Sequence, residues 1–469
     1  MKRIYNFVIL MAAVLYATGA FAAAVTQTDI QNAQPLNQAW ISGSSSTTRG
    51  VFLSFVSGCQ TNTLSVFHGG TAEASFPGDW RTGNTFAYAC VRGGVVSVLY
   101  HTNQGGSFNA FAPHVPNDVA GTGFGVTTNL NRLANVATNS CTNVGTITVT
   151  SQGATPVYRC ATTINGFAAT DNTPKKPAGG FSDVEAALFG VNATSYGTEI
   201  DAGVTQVFGV MATEPLYRAM QVAQGIYASV AAANAADPGF LPQNAPSINK
   251  QQYASLVSDP LATWAPLGVD ETKVVIIARR VNTSGTQTAS NTFFLGNPCL
   301  QNPSIGGSLF PTKEADSDPD YYQIFEDGET SVVRTRISNA SSAGEFAIGV
   351  VSLESTPAAG RRYLKVDGVH PEAGPYNTID SFARYTSAQG QYPFQFPLKG
   401  FISHEAKGTF GETVIKNIVG SLSLVSCTSV PRGLILNSAS SACPILNKGV
   451  HITQTTRQAN SCRPLTWKF

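Results

Sequence analysis

The chain has 469 residues, a formal net charge of +1 and only 12% charged residues. This near-neutrality argues against nucleic acid or an acidic membrane surface as the partner, because both bind strongly basic proteins. The length is sufficient for large hydrophobic cores and favours two or three domains or lobes.

The N-terminus has the pattern of a secretory signal peptide. Lys2 and Arg3 precede an apolar run from Tyr5 to Ala20, and Ala20-Phe21-Ala22 is a small-x-small cleavage sequence. We therefore expect residues 1–22 to be removed after Ala22, which changes the formal charge from +1 to −1. The mature chain is expected to be periplasmic or secreted, with no membrane insertion, because no later segment is apolar enough to span a bilayer.

Eight cysteines in an exported chain predict disulfides rather than metal ligands, and none of them forms a C-x-x-C motif. Pairing between near neighbours along the chain predicts three bridges. The fourth follows by elimination and ties the C-terminus back to the middle of the chain. The predicted pairs are Cys59 with Cys90, Cys141 with Cys160, Cys427 with Cys443, and Cys299 with Cys462.

Short apolar strands that alternate with helical patterns indicate an α/β architecture with parallel pairing. Trp40-Ile41 leads into the polar loop Ser42–Thr47 and then a helical pattern, and the loop residues Ser45 and Ser46 are candidate ligand donors. The strand Val95–Tyr100 is followed in the same way by Gly106 and Ser107. Two such loops in one sheet place two helix starts at the carboxyl edge, where open α/β sheets bind ligands.

Residues 112–178 interrupt this alternation, because they are rich in Gly, Thr, Asn and Pro and contain the predicted Cys141–Cys160 pair. We interpret them as a disulfide-stapled insertion rather than a separate domain, and we expect the insertion to be dispensable for the fold. Strand and helix patterns resume beyond it. They predict strands over 204–210, 274–277 and 346–351, and helices over 214–225 and 247–257.

The segment from Val274 to Thr286 predicts an oxyanion site. Its apolar residues predict a strand covered on both faces, and the Ser284-Gly285-Thr286 turn can open a helix. Free N–H groups at that helix start, two hydroxyls and the guanidinium of Arg280 would converge on one point. The alternative is an N-capped helix beside a surface arginine. Arg280, not Arg279, is the predicted ligand, because adjacent strand residues face opposite sides.

Asp183 lies in Ser182-Asp183-Val184-Glu185, a sequence that also fits an S-x-x-E capping box. The capping box does not require the aspartate. A carboxylate in an anion site would repel the ligand unless the ligand carries a proton to donate, so Asp183 would favour hydrogen phosphate over sulfate. The alternative is that Asp183 is a charge at a helix start.

No enzymatic or metal-binding pattern is evident. The acidic loop Glu314–Asp320 lacks the glycine and the distal glutamate of a calcium loop, and His404-Glu405 has no second histidine four residues on. No G-x-S-x-G sequence and no Ser/His/Asp set favours an exported hydrolase. The sequence therefore predicts neither a cofactor nor a metal.

The segments together resemble the phosphate-binding members of the type 2 periplasmic binding proteins, the solute receptors of phosphate ABC transporters. That family carries R-x-D-G-S-G-T after a strand. The sequence from Arg280 to Thr286 is similar to it, although Asn282 and Thr283 replace the family's acid and glycine. The loops at 44–47, 105–107 and 182–183 follow the order of the family's other ligand loops.

This resemblance implies two α/β lobes with a ligand cleft between them. The first lobe would contain residues 38–205, including the insertion 112–178, and the second residues 206–345. Residues 346–469 would return to the first lobe and form a C-terminal extension. The implied ligand is a small phosphate-like oxyanion, and the implied partner is an ABC permease. The implied ligand-binding residues are Ser45, Ser46, Gly106, Ser107, Asp183, Arg280, Ser284, Gly285 and Thr286.

A second hypothesis of a different class stays open. The chain could be a secreted or surface-associated scaffold for adhesion or assembly, which keeps the fold but has lost the ligand pocket, because a fold does not determine a function.

Overall fold

The structure is a computed structural model, and it describes residues 23–33, 37–69, 85–103, 105–115, 141–160, 176–300, 307–424, 430–438 and 452–468. The expected signal peptide and the expected Cys427–Cys443 pair lie outside these ranges. Among the residues within them, no helix has the length and apolar character needed to cross a membrane.

The chain alternates strands with short helices, as the sequence patterns predict. The strands are β1 Gln38–Gly43, β2 Ser65–His68, β3 Thr85–Arg92, β4 Val95–Thr102, β5 Cys141–Val149, β6 Gly153–Cys160, β7 Gly179–Ser182, β8 Gly197–Thr213, β9 Ser247–Ile248, β10 Val275–Arg280, β11 Tyr322–Asp327, β12 Ala347–Ser352, β13 Arg361–Tyr363, β14 Lys365–Val366, β15 Gln395–Ser403, β16 Leu434–Leu436, β17 Thr455–Thr456 and β18 Thr466–Trp467. The α-helices are α1 Gln27–Asn32, α2 Thr48–Val56, α3 Glu214–Ala223, α4 Val230–Ala236, α5 Lys250–Ser258, α6 Gly285–Ser290, α7 Thr330–Ser342, α8 Tyr385–Ala388 and α9 Phe410–Leu424.

The chain divides into two compact units. The larger unit contains the described residues of 38–55, 100–132 and 173–469, and the smaller unit contains those of 1–37, 56–99 and 133–172. The proposed lobe boundaries near residues 205 and 345 both fall inside the larger unit, and they remain a prediction.

The larger unit contains a mixed sheet in the order β11-β10-β12-β8-β15-β7-β1. Strand β10 pairs in parallel with β11 and β12, and β1 pairs in parallel with β7. Strand β8 is antiparallel to both β12 and β15. Strand β15 is also antiparallel to β7. The α/β class is confirmed, but among these seven strands the expectation of parallel pairing holds only for these two groups.

Strand β10 explains how the sequence builds the centre of the larger unit. All six of its residues are buried, because it has a strand on each side and packs helices over its faces. An unbroken β-branched run is the pattern expected for a strand covered on both faces. Arg280 is the last residue of β10, and the turn that begins α6 follows it.

The smaller unit is held by two disulfides, Cys59–Cys90 and Cys141–Cys160, both predicted from the sequence. Strands β5 and β6 form an antiparallel hairpin, and β6 pairs in parallel with β2. Val157 of β6 is fully buried, so the described part of the expected insertion contributes to a core. The expectation that residues 112–178 are dispensable stays a prediction, but the pairing of β6 with β2 argues against it, because their removal would leave one edge of β2 without this partner.

Candidate functional site

Three loops of the larger unit meet beside the ends of their strands. Strands β1 and β7 are parallel neighbours, so the residues that follow them lie at the same edge of the sheet. Ser44 follows β1 and Asp183 follows β7. Ser107 begins a 3-10 turn after β4. The chain order of the loops is the order that the sequence predicts.

Asp183 is the centre of this cluster and is 2% exposed. The hydroxyl of Ser44 donates to its Oδ1 at 2.5 Å, and the hydroxyl of Ser46 donates to the same oxygen. The backbone N–H of Asp183 donates to the Ser107 hydroxyl at 3.2 Å. One loop therefore directs two hydroxyls at the buried carboxylate, and the Ser107 hydroxyl of a second loop accepts from the backbone of the same residue.

Burial raises the pKa of Asp183 above its usual value. The hydrogen bonds from Ser44 and Ser46, the positive charge of Arg280 and the hydrogen bond with Ser107 oppose this shift without cancelling it. A buried carboxyl without an ion pair accepts a proton more readily than one in water.

Arg280 lies at the end of β10 and is 2% exposed. Its Nε donates to the carbonyl of Asp327 at 3.2 Å, its Nη1 to the Thr330 hydroxyl at 2.8 Å and its Nη2 to the carbonyl of Gly328 at 2.6 Å. A guanidinium has five N–H donors. Two of them, one on Nη1 and one on Nη2, thus remain without a partner in the part of the chain that the structure describes.

The charge of Arg280 is retained at neutral pH. Burial lowers its pKa to about 10, and the carboxylates of Asp183, Glu329, Glu354 and Asp327 act in the opposite direction. No carboxylate forms an ion pair with Arg280 among the described residues. A buried cation of this kind is expected to gain from an anion that can accept its remaining hydrogen bonds.

The turn after β10 opens α6 as predicted. Ser284 is its N-cap residue, and the Ser284 hydroxyl accepts from the N–H of Thr286 at 3.2 Å. A Cβ atom added to Gly285 would lie 2.3 Å from the Ser107 hydroxyl and 2.7 Å from the Asp183 Cβ. Only glycine fits there, because the backbone of the turn lies directly against the other two loops.

The loop that carries Gly106 and Ser107 contacts this turn through its backbone. The N–H of Phe108 donates to the carbonyl of Thr283 at 2.9 Å. Gly106 has a φ of 79°, and a Cβ there would lie 2.9 Å from the Cα of Ser284. These two contacts fix the distance between the Ser107 loop and the Gly285 turn.

The structure brings most of the predicted site residues together. Four of them are in direct contact: Ser46, Ser107, Asp183 and Gly285. The turns that carry them contain Gly106, Ser284 and Thr286. Arg280 interacts electrostatically with Asp183. Ser45 is different, because it is partly exposed and makes no hydrogen bond to Asp183. Its binding role, like that of the others, remains a prediction.

Ser44 lies in the predicted first loop but was not among the predicted ligand-binding residues, and Gly328 and Thr330 were not predicted at all. Ser44 caps the 3-10 turn Ser45–Thr47, so its position before a helical start was the available signal. The partners of Arg280 on the β11–α7 loop had no signal, because they come from a distant part of the chain and act partly through the backbone.

The alternative interpretation of Ser182–Glu185 as a capping box is wrong. The Ser182 hydroxyl donates to the carbonyl of Val184 at 2.5 Å, and Glu185 accepts from the N–H of Ser461 at 2.9 Å. The following 3-10 turn Ala186–Phe189 has no side-chain cap. Glu185, the glutamate that a capping box would need, instead accepts a hydrogen bond from the C-terminal segment.

The remaining candidates do not form a second chemical site. Within the described ranges, no group of three or more His, Cys, Asp or Glu residues could hold a metal ion. Glu405 forms an ion pair with Lys176 at 2.6 Å, which accounts for the His404-Glu405 pair without a metal.

Two solved structures have a distant structural resemblance to the chain. One is a phosphate ABC transporter substrate-binding protein with bound phosphate from Clostridium perfringens, with 11% identity and a TM-score of 0.36 over 81% of this chain and 93% of that one. The other is an ABC-type phosphate transport receptor from Vibrio cholerae, with 11% identity and a TM-score of 0.31 over 56% of this chain and 82% of that one. The chain matches no protein-family model and no curated protein sequence.

Proposed function

We propose that this chain is an exported solute-binding protein that holds a small oxyanion, phosphate or a phosphate-like anion, at the cluster around Asp183 and Arg280. The observation that carries the proposal is the guanidinium of Arg280. It is buried, it has no carboxylate ion-pair partner among the described residues, and two of its N–H donors are uncommitted. A buried positive charge without an ion-pair partner destabilises the protein unless an anion neutralises it.

The surrounding groups match a protonated tetrahedral oxyanion. Arg280 supplies two charged donors, and Gly285 supplies a backbone N–H at the start of α6. Asp183 in its ionised form supplies the acceptor for a proton that the ligand carries. Sulfate carries no such proton at neutral pH and would place two negative groups against each other.

An ABC permease is the proposed partner, since a buried and reversible anion site suits delivery to a transporter. The proposed lobes would close over the anion, and the exclusion of water would strengthen each contact.

A second candidate function is a scaffold that has lost the pocket. One observation favours it: the Ser44 and Ser46 hydroxyls already donate to Asp183, and Gly285 packs against Asp183 and Ser107. In that case the polar cluster would be a self-satisfied part of the core.

Calorimetric titration of the mature chain separates the two candidates. We expect phosphate and arsenate to bind at one site and sulfate to bind at least about tenfold more weakly, because only the first two can donate a proton to Asp183. Absence of binding heat for phosphate, arsenate, a phosphonate and sulfate at millimolar concentration would exclude the transport receptor and favour the scaffold.

A further inference from the structure

The predicted Cys299–Cys462 disulfide is present, and it joins two segments that both lead to the candidate site. Helix α6 starts at the site with Gly285 and continues as a π-helical turn, Asn291–Leu295. Gly296 ends this helical segment, and Cys299 follows within a few residues. The disulfide therefore attaches the far end of the site helix to the C-terminal part of the chain.

The C-terminal side of the disulfide contacts the loop that carries Asp183. Ser461, next to Cys462, is 1% exposed and donates its backbone N–H to Glu185 at 2.9 Å. Glu185 is two residues from Asp183 in the same loop and is 7% exposed. The segment thus connects the Asp183 loop to the helix that carries Gly285.

The C-terminal segment is itself held firmly against the larger unit. The buried guanidinium of Arg457 donates to the carbonyls of Gln395, Pro393 and Arg463 and lies 4.5 Å from the centre of the Phe396 ring. Strands β17 and β18 close the segment into a short antiparallel pair. Ser461 is therefore presented to Glu185 by a fixed element, not by a loose terminus.

We propose that residues 457–462, joined through Cys462 to Cys299, form a strap that positions the Asp183 loop against the Gly285 turn and slows the separation of the two. This rests on the proposed function, because the strap acts on the proposed oxyanion site. In the proposed lobe division, Cys299 belongs to the second lobe and Cys462 to the first, so the disulfide links the lobes at a place other than the chain crossings. Glu185 is then a positioning residue for Asp183.

The strap makes a specific kinetic prediction. Ligand release requires the contact between Phe108 and Thr283 to open, and a covalent link between the two sides restricts that opening. We expect the Cys299→Ser/Cys462→Ser double variant to release phosphate roughly tenfold faster than wild type in stopped-flow experiments, with a smaller change in the association rate.

The matched control is the Cys59→Ser/Cys90→Ser double variant, since that disulfide lies within the smaller unit and joins no site loop. It should leave the phosphate release rate within about twofold of wild type. Equal release rates for wild type and both variants would overturn the strap.

Hydrogen exchange at the Phe108 amide tests the strap without any ligand, and so separates its failure from failure of the proposed function. We expect faster exchange in the chain without Cys299 and Cys462 and unchanged exchange in the control. If wild type binds no phosphate but this exchange pattern appears, the oxyanion proposal fails and the strap stands. If the pattern does not appear, the strap fails.

Glu185 provides a test that does not depend on folding without the disulfide. Glu185→Gln keeps a carbonyl oxygen that can accept from Ser461, whereas Glu185→Ala removes it. We expect Glu185→Ala to accelerate exchange at Phe108 and Glu185→Gln to restore most of the protection. Equal effects of the two substitutions would contradict a positioning role for this hydrogen bond.

Discussion

The adjacent residues Arg279 and Arg280 lie on opposite faces of strand β10 and have different partners. Arg279 donates to Glu326 at 2.5 Å and to the carbonyl of Thr312 at 2.6 Å, so its charge is neutralised by a side chain of the protein. Arg280, on the other face, is held by backbone carbonyls and the Thr330 hydroxyl. Both guanidiniums are buried, at 3% and 2% exposure.

This difference separates a structural arginine, Arg279, from Arg280, the proposed binding arginine. The charge of Arg279 is satisfied before any ligand arrives. The charge of Arg280 is partly compensated by four carboxylates, of which Asp183 contributes most, and burial raises the pKa of Asp183 itself. Free donors do not distinguish the two residues, because the Nη1 of Arg279 also has no hydrogen-bond partner among the described residues. The difference is that Arg279 has a carboxylate partner and Arg280 does not.

Removal of Arg280, the proposed binding arginine, should have the largest effect, which is on phosphate binding. We expect Arg280→Ala to reduce phosphate binding by about 2 to 5 kcal/mol, because a desolvated charge partner is lost. Calorimetry measures the loss. Arg336→Ala is the matched control, since Arg336 is more exposed and pairs with Asp327 on the adjacent loop; it should change phosphate binding by less than about 1 kcal/mol.

Removal of the structural arginine should affect folding instead of binding. Arg279→Ala leaves the carboxylate of Glu326, whose side chain is 22% exposed, without its partner, and we expect a loss of about 3 kcal/mol in the free energy of unfolding. Urea denaturation measures this loss. If Arg279→Ala abolishes phosphate binding in a chain that remains folded, the assignment of the two faces is wrong.

The sequence was sufficient to predict that the two arginines face opposite sides and that the small polar loops lie together, whereas the binding role of Arg280 stays a prediction. Alternation along a strand places Arg279 and Arg280 on opposite sides, and small polar residues after apolar strands mark the loops around Ser46, Ser107 and Asp183. The antiparallel pairing of β8 with β12 and β15 was not predictable, because strand direction is set by long-range packing. The contact of Glu185 with Ser461 was hidden for the same reason.

Asp183 should make the stability of the protein depend on pH. Its pKa is raised in the folded state by burial, so its contribution to stability is present below the unfolded value near 3.8 and is lost as the pH rises through the folded pKa. We expect the wild-type stability, measured relative to Asp183→Asn, to fall as the pH rises from about 3.8 towards neutrality. Urea midpoints of the two chains at several pH values test this. A constant difference would show that Asp183 titrates normally.

The smallest predicted effect separates neighbouring serines. Ser44→Ala removes a hydrogen bond to the Asp183 carboxyl and should destabilise the chain by about 1.5 kcal/mol. Ser45→Ala should change stability by less than about 0.5 kcal/mol, because Ser45 is partly exposed and makes no such bond. Equal effects in thermal denaturation would mean that the hydroxyls are not directed at Asp183 as described.

The most direct test of the oxyanion site is a crystal structure of the mature chain grown with arsenate, whose anomalous scattering locates the anion. We expect one strong anomalous peak, with arsenate oxygens about 3 Å from the Arg280 guanidinium and from the Asp183 carboxyl. A crystal grown at saturating arsenate that shows no peak between Arg280 and Asp183, or a peak elsewhere, would contradict the proposed oxyanion site.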